Sequence, residues 1–233
     1  MNASSPLHGV LVAGGGPVGA TAALSLAGRG YQVTLVDRQR PQPGLSGLGM
    51  DVRNVALSPS SAALLHSVNA WPEQAAPYEK MRVWEERGTS HLDFDAASVS
   101  RSELGWLVEV APLLDRLWEQ LDSQPNVTVV AGSISDVRVS DEDVRVEVAG
   151  SQASNELCTD LLIASDGANS GVRRGLGVPV QQWQTGQLAL TTVVRSERVH
   201  AHTRGFGCKI HRHILYAVDC IQCAIDPADT GRA

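Results

Sequence analysis

A glycine-rich turn near the N-terminus constrains the fold of this chain more than any other feature. An apolar run at 9–13 (GVLVA) stops at the sequence GGGP, and a helical pattern of small and apolar residues follows over 18–29. The next segment, 31–37 (YQVTLVD), is rich in β-branched residues and predicts a buried strand. Strand, turn, helix and strand together form a βαβ unit with a right-handed crossover. The sequence therefore predicts an α/β fold around a parallel sheet.

The glycines of this turn have the spacing of a phosphate-binding turn, Gly14-x-Gly16-x-x-Gly19. Gly14 permits the tight turn, Gly16 lets a diphosphate approach the backbone, and Gly19 lets the helix pack closely on the strand. The helix begins at Pro17 and Val18. The amide groups and the dipole at its N-terminus then receive the phosphates. The pattern predicts a dinucleotide site.

An acidic residue at the end of the second strand completes the pattern. Asp37 follows Gly19 by 18 residues and is positioned to accept hydrogen bonds from an adenosine ribose. A free 2′-phosphate would be repelled there, so NADP is a poor occupant. The turn alone leaves NAD and FAD open, and its alternative interpretation is a glycine-rich turn without a ligand.

A second motif lies at 161–174 (LLIASDGANSGVRR), where an apolar strand ends at Asp166-Gly167 and a helix start follows. A carboxylate at a strand end, beside a glycine that allows close approach, can bond the hydroxyl groups of an extended cofactor. The alternative is an ordinary Asp-Gly turn, which is common at strand ends.

Composition excludes several classes of protein. The net charge of −6 and the near absence of lysine argue against a nucleic-acid partner, since phosphate neutralisation needs clustered cations. Four cysteines are too few for a disulfide scaffold. The first residues lack the features of a secretory signal, and no apolar segment approaches the roughly 20 residues that span a bilayer. We therefore expect a cytoplasmic protein.

The remaining pattern predicts further helices and strands. Helices are expected at about 58–68 and 111–122. The segments 81–86 and 91–95 are expected to form a hairpin that turns at Arg87-Gly88. Other strands are expected at 106–110, 126–131, 134–139, 143–149, 157–167 and 185–195. The five tryptophans are interpreted as packing anchors: Trp71, Trp84, Trp106, Trp118 and Trp183.

Three segments in the same order resemble one family, the FAD-dependent aromatic hydroxylases. They are GGGPVGATAALSLAGRGYQVTLVDR, DVRNVALSPSSAALL (51–65) and LLIASDGANSGVRR. The VALS phrase and VWEERGTSHLDFDA (83–96) are more narrowly similar to the ubiquinone-biosynthesis hydroxylases. The resemblance implies a Rossmann-type FAD-binding domain with an inserted mixed β-sheet substrate domain. It also implies NAD(P)H as a transient reductant, dioxygen as co-substrate, and an aromatic or polyprenylated phenol as substrate.

The resemblance also implies which residues contact FAD. The glycines would hold the diphosphate and Asp37 the adenosine ribose, while Arg53 matches a family arginine that reaches back to the FAD. For Arg53 the alternative is a solvated loop arginine. Asp166 would face the FAD, with Arg173 supporting that motif. The complete cofactor-binding set is Gly14, Gly16, Pro17, Val18, Gly19, Asp37, Arg38, Arg53, Asp166, Gly167 and Arg173. No catalytic residue is named, because the cofactor carries the chemistry.

The C-terminal part departs from the family pattern. The resemblance is expected to run from about residue 8 to about residue 203, and the chain is interpreted as C-terminally truncated or altered in reading frame. Val110 stands where family members place a polar residue. The predicted organisation is a discontinuous FAD-binding domain at 1–72 and 100–178, a partial substrate-binding sheet at 73–99 and 179–203, and an unmatched tail at 204–233.

Four possible zinc ligands lie in that tail: Cys208, His211, Cys220 and Cys223. Thiolate and imidazole donors in such pairs can hold a tetrahedral zinc. The preferred interpretation is chance clustering, because the residues between the pairs resemble a strand, and no metal site is assigned.

Three functions compete at this stage. The first is a flavin monooxygenase acting on a polyprenylated phenol or quinol in ubiquinone biosynthesis, with peripheral contact to the inner face of the membrane and to proteins of a biosynthetic complex. The second is a catalytically inactive remnant of the FAD fold that serves as an interaction module. The third is an NAD-dependent dehydrogenase, which NAD binding without flavin binding would favour.

Overall fold

The structure is a computed structural model that describes residues 9–42, 49–85, 89–150, 154–184, 188–189, 203–211 and 214–218. The chain divides into two compact units. The first comprises Met1–Gln42, Leu65–Ala70 and Leu113–Gln181. The second comprises Pro43–Leu64, Trp71–Pro112 and Gln182–Ala233.

The elements are numbered in chain order. The helices are α1 (Pro17–Ala27), α2 (Pro59–Ser67), α3 (Val110–Ser123) and α4 (Gly171–Gly175), with a 3₁₀ turn at Ala96–Val99. The strands are β1 (Val10–Ala13), β2 (Val33–Asp37), β3 (Asn54–Leu57), β4 (Ala76–Tyr78), β5 (Lys80–Glu85), β6 (His91–Asp95), β7 (Gly105–Glu109), β8 (Val127–Ala131), β9 (Ser133–Val139), β10 (Val144–Ala149), β11 (Ser154–Thr159), β12 (Leu161–Ala164), β13 (Leu188–Ala189), β14 (Thr203–His211) and β15 (Ile214–Val218).

The first unit contains a parallel four-stranded sheet in the order β12-β1-β2-β8. Every residue of the central strand β1 is buried, as expected for a strand covered on both faces. Leu11 and Val36 of this sheet pack with Val146 and Val148 of an antiparallel sheet, β11-β10-β9. The parallel arrangement of β1, β2 and β12 brings their carboxyl ends to one edge.

Helix α1 is the crossover between β1 and β2, and it packs against both strands. Pro17 occupies its first turn, where the missing N–H is not needed. Ala20, Ala23 and Ala27 are buried along it, and such small side chains allow a short distance between helix and sheet. The βαβ unit predicted from the sequence is therefore present.

The second unit contains two sheets. One is antiparallel, with the order β3-β7-β4. The other is mixed, with the order β13-β15-β14-β5-β6. Within it, β5 and β6 pair antiparallel, which confirms the predicted hairpin, while β14 pairs parallel with β5. The turn predicted at Arg87-Gly88 and most of the strand predicted at 185–195 lie outside the described residues.

The single strand predicted at 157–167 is wrong, because the chain changes sheets at Asp160. β11 pairs antiparallel with β10, whereas β12 pairs parallel with β1. The hydroxyl of Thr159 donates to the carbonyl oxygens of Gly9 (2.6 Å) and Leu161 (3.1 Å), which fixes the bend between the two strands. A continuous apolar pattern does not show such a change of partner.

The domain boundaries predicted from the resemblance differ from the two compact units. The prediction places 43–64 and 100–112 in the FAD-binding domain, whereas these residues belong to the second unit. Which ligand each part binds stays a prediction. Along the described residues, no helix combines the length and the apolar character needed to cross a membrane.

Candidate dinucleotide-binding site

The turn after β1 needs glycine at its first position. Gly14 has a φ of 98°, in the left-handed region, and its N–H donates to the carbonyl oxygen of Val36 (2.8 Å). A β-carbon built on Gly14 would lie 2.5 Å from the carbonyl oxygen of Ser165. Any side chain there would be strained and would displace the backbone after β12. The tight turn predicted at Gly14 is therefore present.

Gly19 and Gly16 differ in the space that surrounds them. A β-carbon on Gly19 would overlap the carbonyl oxygen of Gly14 and the hydroxyl oxygen of Ser165, so Gly19 permits close packing of α1. A β-carbon on Gly16 would meet no atom of the described residues within 4 Å. None of the described residues requires glycine at Gly16, and the open space beside its backbone fits a ligand that approaches closely.

The N-terminus of α1 provides the donors of an anion site. The first N–H groups of a helix have no partner within it, and Pro17 carries none, so the amides of Val18 and Gly19 are available. The Val18 side chain is 75% exposed, and the first turn carries no acidic residue. The helix dipole adds a partial positive charge at this end, so the position fits a diphosphate.

Asp37, the last residue of β2, contacts the glycine turn directly. Its Oδ2 accepts a hydrogen bond from the N–H of Gly15 at 2.5 Å, and its Oδ1 accepts a longer one from the N–H of Gln39 at 3.3 Å. The carboxylate therefore holds the turn through Oδ2, which leaves acceptor capacity at Oδ1. Asp37 and the exposed Arg38 both line the cleft described next.

A cleft of about 900 Å³ joins these features within the first unit. It is lined by Gly14 and Gly16, by Asp37 and Arg38, by the β8–β9 corner at 132–135, and by parts of the segment 165–175. The carboxyl ends of β1, β2 and β12 converge here, which is where open α/β sheets bind their ligands. The structure thus brings the two sequence motifs into one cleft.

Asp166 lies in this cleft with one oxygen bonded and the other without a partner. Its Oδ2 accepts hydrogen bonds from the N–H groups of Gly171 (2.6 Å) and Val172 (3.2 Å). Its Oδ1 is buried and has no hydrogen-bond partner among the described residues. A buried acceptor of this kind calls for a donor, and a ligand hydroxyl group would supply one.

The environment of Asp166 favours the ionised carboxylate. Burial works against ionisation, but hydrogen bonding by Ser170 and by the N–H groups of Val172 and Gly171 holds the pKa of Asp166 below its ordinary value. The neighbouring Gly167 has a φ of 86° and open space around it. Cleft, ionised acceptor and open glycine all fit the sugar or ribityl hydroxyls of an extended cofactor.

Two arginines fix the backbone that follows Asp166. Arg173 Nη2 donates to the carbonyl oxygen of Ala168 at 2.6 Å, and Arg174 Nη1 donates to that of Asn169 at 2.9 Å. Arg173 therefore contacts the loop of its own motif, and its role in binding FAD stays a prediction. Arg174 lines the cleft; it is the last residue of the motif at 161–174, but the sequence analysis does not name it as a site residue.

Arg53 belongs to the second unit, where it forms a bidentate pair. Its Nε donates to Asp51 Oδ1 (3.1 Å) and its Nη2 donates to Asp51 Oδ2 (2.9 Å). Asp51 is 1% exposed and also accepts from the N–H of Ala111 (3.0 Å), while its own N–H donates to Glu109 Oε2 (2.7 Å). Arg53 is thus held by a buried carboxylate, while its own side chain remains 54% exposed. Its contact with FAD stays a prediction.

The ion pair changes the pKa values of both partners. Burial alone would raise the pKa of Asp51, but the hydrogen bonds and charge of Arg53 hold it below its ordinary value. The Asp51 carboxylate in turn raises the pKa of Arg53.

Sequence reasoning missed three residues that support these sites: Trp118, Ser165 and Asp51. Trp118 Nε1 donates to the carbonyl oxygen of Gly15 at 2.9 Å. Ser165 ties the Asp166 loop to the glycine turn, since its hydroxyl donates to the carbonyl oxygen of Ala13 (2.7 Å). Asp51 and Ser165 carried a signal, since they lie within the quoted segments 51–65 and 161–174, whereas Trp118 lies in neither.

The tryptophan and zinc hypotheses have mixed outcomes. Trp118 is buried, and Trp71 and Trp106 pack edge to face at 5.5 Å, as expected of packing anchors. Trp183 is 76% exposed, so its assignment as an anchor is wrong. The zinc hypothesis stays untested, because Cys220 and Cys223 lie outside the described residues.

The fold and the site define a dinucleotide-binding α/β protein, and comparison with known proteins narrows this class. Residues 8–213 match the model of the FAD binding domain family. The chain therefore belongs to this family, which confirms the family resemblance. The match extends to residue 213, beyond the expected end near residue 203.

The similar proteins include a hydroxylase and a monooxygenase. The chain is 35% identical over 193 residues to 3-demethoxyubiquinol 3-hydroxylase from Escherichia coli (strain K12), covering 81% of this chain and 48% of the relative. It is 28% identical over 206 residues to ubiquinone biosynthesis monooxygenase COQ6 from Danio rerio, covering 81% of this chain and 42% of the relative. The chain thus spans about half the length of these relatives.

Among solved structures, p-nitrophenol 4-monooxygenase PnpA from Pseudomonas putida DLL-E4 is similar, with a TM-score of 0.60 and 25% identity. The similarity covers 74% of this chain and 44% of that one. It agrees with the predicted FAD-binding fold, while the binding of substrate by the mixed sheet stays a prediction.

Proposed function

We propose that this protein is an FAD-dependent monooxygenase that consumes NAD(P)H and hydroxylates an aromatic ring. The observation that carries the proposal is the shared cleft. It combines an open glycine turn at a helix N-terminus with a buried carboxylate oxygen of Asp166 that has no hydrogen-bond partner in the described part of the chain. Membership of the FAD binding domain family favours FAD over NAD as the occupant.

Different residues of the site would bind different parts of the cofactor. The amides at the start of α1, beside Gly14, Gly16 and Gly19, would hold the diphosphate, and Asp37 would hold the ribose. Asp166 would accept a hydrogen bond from a hydroxyl group of the cofactor. When bound, FAD supplies the redox chemistry, with NAD(P)H as reductant and dioxygen as oxidant. The protein contributes binding, orientation and exclusion of water.

The substrate is proposed by similarity to the relatives. These relatives are a 3-demethoxyubiquinol 3-hydroxylase and a monooxygenase of ubiquinone biosynthesis. We therefore propose a polyprenylated phenol or quinol, and a cytoplasmic protein in peripheral contact with the inner face of the membrane. Proteins of the same biosynthetic complex are the proposed partners. Flotation with lipid vesicles would contradict the membrane contact if all of the protein stayed with the soluble fraction.

Absorption spectroscopy and oxygen consumption test the proposed function. The purified chain with added FAD is expected to keep the flavin absorption bands after gel filtration. It is expected to oxidise NAD(P)H and take up oxygen faster when a prenylated phenol is present than when it is absent. Loss of all FAD on gel filtration would contradict the proposed cofactor, whereas retained FAD without oxidation of NAD(P)H would contradict the monooxygenase.

A further inference from the structure

The peptide group of Gly15, in the middle of the glycine turn, is bonded by a side chain at each end. Its N–H donates to Asp37 Oδ2 at 2.5 Å, and its carbonyl oxygen accepts from Trp118 Nε1 at 2.9 Å. Trp118 comes from α3, 103 residues further along the chain. The orientation of this peptide is therefore set by two distant side chains.

Trp118 also packs tightly against the turn. It is 4% exposed, and a β-carbon built on Gly15 would lie 2.5 Å from its Cζ2. The hydrogen bond is thus formed away from water, where losing it would leave the carbonyl oxygen without a partner.

Arg40 covers the indole ring. Its guanidinium carbon lies 5.8 Å from the centroid of the Trp118 ring, within the range of a cation–π contact. Its Nη1 also pairs with Asp122, one helical turn beyond Trp118, at 2.7 Å. Arg40 follows β2, so it connects the strand that carries Asp37 to the helix that carries Trp118.

The direction of the Gly15 carbonyl matters for an anion site. A carbonyl oxygen carries partial negative charge and would repel a diphosphate if it pointed towards it. Gly14 and Gly16 line the cleft, while the carbonyl oxygen between them is bonded to the buried indole. Trp118 thus keeps an acceptor away from the site and leaves the donors of the α1 N-terminus to the ligand.

We propose that Trp118 is a positioning residue of the diphosphate site, which it serves by fixing the Gly15 carbonyl through its indole N–H. This inference rests on the proposed binding of FAD. It adds a residue outside both sequence motifs, and it assigns Arg40 the supporting role of holding the indole ring.

Ligands with and without a diphosphate test this inference. Trp118→Phe keeps an aromatic ring but removes the N–H donor, whose hydrogen bond is worth about 1 kcal/mol, or about a fivefold change in affinity. In the full chain, the affinities for FAD and ADP are expected to fall about fivefold, measured by isothermal titration. The affinity for adenosine, which lacks phosphate, is expected to stay within about twofold, measured by NMR.

Two further variants control the experiment. Trp183→Phe removes an exposed indole and is expected to leave all three affinities unchanged. Arg40→Gln changes an exposed residue and is therefore expected to keep the fold. It provides a second test of the inference if Trp118→Phe proves unstable. This variant is expected to lower the affinities for FAD and ADP by about twofold and to leave the affinity for adenosine unchanged.

The outcomes separate the inference from the proposed function. If the affinities for FAD, ADP and adenosine fell equally, Trp118 would only support the fold. Unchanged affinity for ADP in Trp118→Phe and Arg40→Gln would also overturn the inference. A wild-type chain that binds ADP but not FAD contradicts the proposed function alone. Binding of neither ligand by the wild type overturns both.

Discussion

Two glycines of the same turn differ in what they do for the molecule. Gly19 has no room for a β-carbon beside the Gly14 carbonyl, whereas a β-carbon on Gly16 would contact none of the residues that the structure describes. We predict that Gly19→Ala lowers the free energy of unfolding by about 3 kcal/mol, because the helix must move away from the strand. Gly16→Ala should change it by less than about 0.5 kcal/mol, because alanine readily adopts the extended conformation of Gly16.

FAD affinity should separate the two roles. Despite its intact fold, Gly16→Ala is expected to bind FAD about tenfold more weakly or worse, because the methyl group occupies the space of the diphosphate. Thermal unfolding and FAD titration of both variants check the prediction. Wild-type affinity in Gly16→Ala would show that no ligand approaches this backbone.

At the scale of the helix, the N-terminus of α1 offers a test of charge. Val18 is 75% exposed in the first turn, so a polar side chain is tolerated there. We predict that Val18→Glu stabilises the free protein by about 0.5 kcal/mol through the helix dipole, yet weakens FAD binding about tenfold by repelling the diphosphate. The loss should shrink when salt is raised from about 50 mM to about 500 mM, because salt screens exposed charges.

Val18→Gln is the matched control, because the glutamine side chain has nearly the same size as that of glutamate but carries no charge. It is expected to bind FAD within about twofold of the wild type at both salt concentrations. A loss as large as that of Val18→Glu, or a loss independent of salt, would mean that crowding and not charge affects the site.

The elements also show which features the sequence could predict. The glycine turn, α1 and the β5–β6 hairpin depend on residues close together in the chain, so periodicity and turn residues were enough to predict them. The break between β11 and β12 depends on which sheet each strand joins, and the local pattern at 157–167 does not contain that information. Trp118 contacts Gly15 only in the tertiary structure, so the local sequence around either residue does not predict the contact.

At the scale of the whole molecule, each compact unit contains a carboxylate whose pKa is lowered by its surroundings. Asp166 belongs to the first unit and Asp51 to the second. A carboxyl group with a lowered pKa in the folded state binds its proton more weakly than it does in the unfolded chain. It therefore stabilises the fold above the ordinary value of 3.8, and this contribution is lost as the pH falls through 3.8 towards the lowered pKa.

We predict that the contribution of these two carboxylates to the free energy of unfolding stays nearly constant between about pH 7 and about pH 5. The free energy of unfolding, measured by urea denaturation, should then fall steeply between about pH 4 and about pH 3. Asp51→Asn and Asp166→Asn should each lower stability at about pH 7 and flatten the acid-side fall, because the titrating group has been removed. Asp141→Asn, at an exposed bend, is the control and should keep the wild-type profile. If both variants lost stability by the same amount at every pH, the two carboxylates would be structural acceptors whose ionisation is not linked to folding.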